Sequence, residues 1–297
     1  MATSNVPEAS AHSFLEWAIG SLRQAGVSSP EQDSWWLLSH LLGIGRGELQ
    51  AQMLIRDVPL SPALLEDGIA LVTRRQNREP LWHLTGTAPF LRMDVAVGPG
   101  VFIPRPETER LAERALLEAE ALVPGSGTLH VWDACAGSGV LGLTLAQSLP
   151  HTDVTLIESS PDALPYLAAN VKKYGRAQVT VVPLTVQAAA QSTHPHSVDL
   201  IVSNPPYLVP GSDLLDPETE GFDPPEALFG GEDGLSVVRE VIEAAARVLR
   251  VGGVLVMEHG ITQHDTIAVL LREAGFGGIT HDSDLVGRVR FTTARRS

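Results

Sequence analysis

The chain has 297 residues, of which 44% are apolar, and it carries 35 acidic against 21 basic side chains for a formal charge of −14. That balance excludes a disordered chain and argues against a protein that holds nucleic acid mainly by neutralising phosphates. The single cysteine, Cys135, excludes a disulfide framework and a cysteine-built zinc site, so a reducing cytoplasm is the expected compartment. No apolar run approaches the ~18 residues that span a bilayer, so no membrane role is expected. The opening MATSNVPEAS lacks the basic and apolar parts of a signal peptide, and residues 1–10 read as a flexible tail.

In chain order, residues 11–80 read as a small all-helical domain. Ser13 and Glu16 have capping-box spacing, and Phe14, Ala18 and Leu22 then recur every fourth residue up to Gly26. Ser29-Pro30 opens a second helix through Trp35, Leu38, Leu41 and Leu42, with a stop at Gly43. Ser61-Pro62 opens a third through Leu64, Leu65, Ile69 and Val72, ending near Glu79-Pro80. Arg74, Arg75 and Arg78 fall in its last turns, where cations complement the helix dipole. Over residues 81–104, glycine and proline punctuate short apolar runs, which predicts a β-hairpin linker.

From 105 to 297 strands and helices alternate. Helices are predicted at about 107–122, 139–149, from Ser160-Pro161 to about 173, 235–250 and 263–274. Strands are predicted at 128–133, 153–158, 178–183, 198–203 and 253–258, and strand-like segments close the chain. This pattern predicts an α/β fold, a doubly wound and mostly parallel sheet covered on both faces. The long connection 204–234 is rich in proline and glycine and has the length of a binding loop or lid.

Two segments carry chemistry. The first is Asp133-Ala134-Cys135-Ala136-Gly137-Ser138-Gly139, between a strand and a helix. Glycines there let the backbone turn tightly and approach a ligand, and the helix start offers free N–H groups. Glu158 ends the next strand, where a carboxylate can accept hydrogen bonds from ribose hydroxyls. We read the loop as lacking the third glycine of a dinucleotide fingerprint at the helix-packing position, Leu141 and Gly142 following instead. That favours S-adenosylmethionine, which has no phosphate, over a pyrophosphate cofactor.

The second segment, Asn204-Pro205-Pro206-Tyr207, follows the strand Asp199–Ser203. Asn204 supplies a side-chain carbonyl, the prolines supply carbonyls on a fixed backbone, and Tyr207 supplies a flat ring. Two acceptors beside a stacking surface suit a planar NH2 group, whose nitrogen can then be aimed at an electrophile. A planar amide is a poor nucleophile, so orientation and charge stabilisation must do most of the work.

With these segments in view, the chain resembles the bacterial peptide chain release factor glutamine methyltransferases, the HemK/PrmC family. The likeness lies in TRRQNREPLWHLTG, VFIPRPETE, DACAGSG, LIE, SNPPY, FDPPEALFGGEDGL and MEHG, and it covers essentially the whole chain after the tail. It implies a class I methyltransferase domain over 105–297, a helical substrate-docking domain over 11–80 and a hairpin linker over 81–104. It implies S-adenosyl-L-methionine as cofactor, S-adenosyl-L-homocysteine as its product, and no metal. Cys135, Ala136, Gly137, Ser138, Gly139, Glu158, Val186 and Asn204 would contact the cofactor. Asn204, Pro205, Pro206 and Tyr207 would hold the substrate amide, with Asn204, Pro205 and Tyr207 as the catalytic set. The substrate would be the glutamine of a Gly-Gly-Gln motif in a release factor, and the product N5-methylglutamine. Cys135 stands where many relatives carry glycine. Near Thr185, where relatives often carry an acid, only a hydroxyl and backbone groups are available, with Val186 offering a backbone contact.

Two alternatives share the NPPY segment: methylation of a nucleic acid base amine, or of a ribosomal protein glutamine. Residues 1–85 hold 6 basic and 9 acidic side chains, so no basic face for nucleic acid is expected there. The continuation Ile103–Glu109 resembles the release factor branch rather than the ribosomal protein one.

Overall fold

A computed structural model of the chain describes residues 7–122, 127–176, 178–211 and 217–297; residues 1–6 of the expected tail lie outside that range. The chain divides into two compact units. One takes residues up to Thr87 and the segment ending at Phe222; the other runs from Ala88 and from Asp223 to Ser297.

The first unit is helical: α1 (Ala11–Gln24), α2 (Pro30–Leu42), α3 (Arg46–Ile55), α4 (Pro62–Gln76) and α5 (Leu81–Thr85). Its core gathers Phe14, Leu22, Leu37, Leu38, Leu49 and Val72. Ser61 caps α4 as the sequence predicts, its hydroxyl accepting from the Leu64 N–H at 3.2 Å. The cap of α1 is Ser10 rather than Ser13: the Ser10 hydroxyl accepts from the Ser13 N–H at 3.3 Å, so the helix starts three residues earlier. Residues 81–85, expected within the hairpin segment, form a helical turn closed by Gly86 at φ +72°. Arg75 does not complement a dipole in solvent. It is 3% exposed, and its guanidinium donates to Asp33 at 2.7 Å and to Glu218 at 2.7 Å.

In the second unit a hairpin, β1 (Thr87–Phe90) with β2 (Met93–Ala96), precedes α6 (Pro106–Leu122). Then follow β3 (Leu129–Ala134), α7 (Val140–Ser148), β4 (Thr152–Ile157), α8 (Leu164–Tyr174), β5 (Val179–Val182), α9 (Val186–Ser192) and β6 (Val198–Ser203). The long connection after β6 contains two short helices, α10 (Pro217–Phe222) and α11 (Pro225–Leu228), and α10 belongs to the first unit. The unit closes with α12 (Ser236–Val248), β7 (Leu249–Glu258), α13 (His264–Glu273), β8 (Phe276–Ser283) and β9 (Val289–Arg296).

The seven strands lie in the order β5-β4-β3-β6-β7-β9-β8. The first five are parallel, and β9 runs antiparallel to both of its neighbours. Period-two alternation separates the two faces. Trp132, Ile201 and Leu255 pack with Val186 and Ala189 of α9, Val241 and Ala245 of α12, and Ile267 of α13. Asp133 and Leu156 face α7, where Gly142 lies against both. Burial of both faces explains why these strands read as continuous apolar runs. Among the described residues no helix is long and apolar enough to cross a membrane.

Candidate active site

Strand register assembles the site. Ala134 pairs with Ile157 of β4 and with Ser203 of β6, and Ser203 pairs with Met257 of β7. The next residue on each strand is therefore at the same level, so Glu158, Cys135, Asn204 and Glu258 form a row along the carboxyl edge. The chain leaves β3 for β4 on one side and later returns to β6 on its other side. This is the topological switch point, where open α/β sheets leave a ligand crevice.

The loop after β3 turns through three positive φ angles, Cys135 at +61°, Gly137 at +55° and Gly139 at +82°. A non-glycine residue in this region costs roughly 1–2 kcal/mol, which makes glycine the natural choice at position 135. The Cys135 thiol is held up above its ordinary pKa, first by burial and then by the Glu158 charge, so it stays a neutral thiol. The Gly137 N–H donates to Glu158 Oε2 at 2.7 Å and the Ser160 N–H donates to Oε1 at 2.7 Å. The Ser138 carbonyl accepts from Asn170 at 2.9 Å. A Cβ on Gly139 would stand 2.6 Å from Leu167, whereas the space over Gly137 is open.

The reading of a missing third glycine is corrected here. Gly142 completes the Gly137-x-Gly139-x-x-Gly142 spacing, and a Cβ there would lie 2.2 Å from Leu156 and 3.0 Å from the Asp133 Cβ. It serves the close helix–strand packing that this position requires, so the loop by itself does not choose between cofactors. The Gly142 N–H also donates to Asp133 Oδ2 at 2.8 Å. Burial raises the Asp133 carboxyl to about 7.

Val186 is the first residue of α9, in the loop region beyond β5, and its side chain is buried in the core. Thr185 is the cap, its hydroxyl accepting from the Ala188 N–H at 3.2 Å. What position 186 can offer a ligand is a first-turn backbone N–H.

Around Asn204 the structure adds residues that the sequence reading did not single out. Asn204 Nδ2 donates to the Thr108 hydroxyl at 3.4 Å, and Thr108 donates to Glu258 Oε2 at 3.1 Å. The Tyr207 hydroxyl donates to Glu258 Oε1 at 2.9 Å, and Arg290 donates to the Tyr207 oxygen at 3.5 Å. Burial raises the Glu258 carboxyl to about 7, opposed by the Tyr207 and Thr108 hydrogen bonds. Burial, then the Glu258 charge, pushes the Tyr207 phenol well up, so Tyr207 remains a donor.

The backbone of the NPPY segment is clamped by the glycine-rich stretch that follows it. A Cβ on Gly230 would lie 2.7 Å from the Pro206 carbonyl oxygen, and one on Gly234 would lie 2.4 Å from that of Tyr207. Gln263 donates to the Tyr207 carbonyl at 2.9 Å and accepts from the Gly260 N–H at 2.8 Å. The GGEDGL and MEHG segments thus hold Asn204–Tyr207 in place.

A switch-point crevice with a glycine loop on one strand and NPPY on the next is a methyltransferase arrangement, and residues 112–215 match the methyltransferase small domain family. Residues 13–86 match the PrmC N-terminal domain family. A 16S rRNA N2 G1207 methyltransferase of T. thermophilus, solved with AdoMet and guanosine, shares the fold at a TM-score of 0.50. It is 24% identical, over 71% of this chain and 50% of that one. The release factor glutamine methyltransferase of Mycolicibacterium smegmatis is 41% identical over 95% of this chain and 96% of its own. That of Streptomyces coelicolor is 38% identical over 93% and 94%. The chain belongs to the release factor glutamine methyltransferase family.

Proposed function

We propose that the protein transfers a methyl group from S-adenosyl-L-methionine to the side-chain amide nitrogen of the glutamine in the Gly-Gly-Gln motif of a peptide chain release factor. The products are N5-methylglutamine and S-adenosyl-L-homocysteine. The observation that carries this reading is the register that sets Glu158 and Asn204 on either side of Cys135 along one strand edge. Names of relatives at 35–41% identity supply the substrate class.

The residues fit the cofactor. The open space over Gly137 leaves room for a ligand against the loop backbone, and Asp133 Oδ1 is a buried oxygen with no partner among the described residues. Glu158 offers carboxylate oxygens, each with a second lone pair beyond its N–H bond, to ribose hydroxyls. Cys135 to Gly139 would hold the methionine end, and Val186 would offer backbone polar groups. When bound, the cofactor supplies an electrophilic methyl group.

The rest is done by the chain. The Asn204 side-chain carbonyl and the Pro205 carbonyl accept the two amide N–H groups of the substrate, which fixes the nitrogen and its direction. These bonds strengthen as the nitrogen gains positive charge, so they favour the transition state over the ground state. Pro206 keeps the backbone rigid and Tyr207 packs beside the amide. The amide proton becomes acidic only during transfer, so its departure to water needs no dedicated base. In this reading residues 11–80 dock the release factor, 81–104 link, and 105–297 carry the chemistry. Neither a membrane nor a nucleic acid takes part.

Incubation of the purified protein with a release factor and S-adenosylmethionine, followed by peptide mass spectrometry, tests this. One methyl group on the glutamine of the Gly-Gly-Gln motif, absent when that glutamine is replaced by alanine, is the expected result. Methylation elsewhere or on nucleic acid would refute it.

A further inference from the structure

We propose that Thr108 and Glu258 are positioning residues that set the rotation of the Asn204 side-chain amide, so that its carbonyl oxygen and not its NH2 faces the substrate. The inference rests on the reading of Asn204 as an acceptor for the substrate amide, and it explains how the acceptor is selected.

An asparagine amide can occupy its site in two orientations that differ by a half-turn, and its neighbours decide between them. Here the neighbour is one hydroxyl. Thr108 Oγ1 lies 3.1 Å from Glu258 Oε2 and 3.4 Å from Asn204 Nδ2. A hydroxyl has a single proton to give, and an ionised carboxylate can only accept. With Glu258 ionised, above about pH 7, the Thr108 proton is committed to it, and what faces Asn204 is a lone pair. A lone pair selects the NH2 end, and the carbonyl is turned away from Thr108. The other oxygen of Glu258 is occupied by the Tyr207 hydroxyl at 2.9 Å. Donation thus runs inward from Asn204 through Thr108 on one side and from Tyr207 on the other, and both paths end on one carboxylate that is 2% exposed.

A carboxylate used only to tie the end of β7 to α6 could be replaced by its amide at little cost. The relay predicts otherwise for Glu258→Gln. Tyr207 still needs an oxygen, so the glutamine NH2 must face Thr108 and donate to it. The Thr108 proton then turns to Asn204 and selects its carbonyl, leaving NH2 toward the substrate, where a donor meets donors. Shape and volume are unchanged, but the acceptor is lost.

The test uses full-length protein in two readouts. The first is independent of turnover: the nuclear Overhauser effect between the Asn204 side-chain NH2 and Thr108. It should be present in the wild type and lost in Glu258→Gln; its persistence in the variant overturns the relay whatever the substrate is. The second is methyl transfer to a release factor. Above about pH 7, Glu258→Gln should lower kcat by ~10²–10³ with cofactor Kd nearly unchanged and no loss of melting temperature, the scale of deleting one transition-state hydrogen-bond partner. Thr108→Ser should restore activity that Thr108→Val loses, and adding Glu258→Gln to Thr108→Val should cost little more, because the two act through one path. A Glu258→Gln variant with wild-type kcat, or one whose loss tracks a lowered melting temperature, contradicts the proposal. A wild type that leaves the release factor unmethylated while the Overhauser contrast holds would instead refute the functional reading alone.

Discussion

Glu158 is fixed by the fold at the position where the proposed reading needs a partner for the ribose. Its two oxygens already accept backbone N–H groups from Gly137 and Ser160, which fixes the carboxylate before any ribose arrives. Glu158→Ala should weaken S-adenosylmethionine binding by ~1–3 kcal/mol by calorimetry, the scale of charge-assisted hydrogen bonds. Unchanged affinity would remove Glu158 from the site. At this scale the sequence was legible where residue type is forced. Glycines at positive φ, an acid at a strand end and the Asn-Pro-Pro-Tyr run are visible without coordinates. Glu258 and Thr108 were not, because nothing near them in sequence states their role. They become partners of Asn204 only through register across the sheet and the docking of α6. Gly142 was visible but misread, and only the 2.2 Å approach of a Cβ to Leu156 shows what it does.

Among elements, the strands and long helices were legible from period and caps, and the short helices were not. Helix α3 buries only Leu49 and Met53, and α9 buries Val186 and two alanines, so neither carries an apolar stripe long enough to recognise. The end of β7 carries a pH signature. Glu258 faces Thr108 and Glu107 from α6, Tyr207 from the NPPY segment and Arg290 from β9, and its carboxyl is raised from 4.5 to about 7. A carboxyl raised on folding binds its proton more tightly in the native state. Its contribution to stability is full below 4.5 and is lost as pH rises through about 7. Relative to Glu258→Gln, the wild type should therefore lose melting temperature between about pH 5 and pH 8. Activity should run the other way. A protonated Glu258 donates to Thr108 as a glutamine would, so kcat should fall below about pH 7. Melting curves parallel at every pH would mean that Glu258 keeps an ordinary pKa.

On the scale of the whole molecule, the change of pattern near residue 80 predicts a helical domain over 11–80 and a sheet domain over 105–297, and the chain clusters into units that part at Thr87. The membership of α10 was not legible in the sequence. This segment follows the NPPY strand in sequence, yet it clusters with the helices, where Glu218 meets Arg75. A buried ion centre of this kind is not written in hydrophobic period. The arginines of α4 looked like ordinary last-turn cations. Arg75→Met should destabilise the helical unit by ~3–5 kcal/mol, read as a lower melting temperature, because Asp33 would be left buried and unpaired. A shift of under about 1 kcal/mol would mean that Asp33 takes up a proton at little cost. The central claim is that strand ends divide the work: Glu158 and the glycine loop hold the cofactor, and Asn204 holds the amide. It is tested most directly by Asn204→Ala, with methyl transfer to a release factor and cofactor affinity measured on the same preparation. The account predicts a loss of ~10²–10³ in kcat that far exceeds any change in cofactor Kd. Unchanged kcat, or a loss that merely follows weakened cofactor binding, would contradict it.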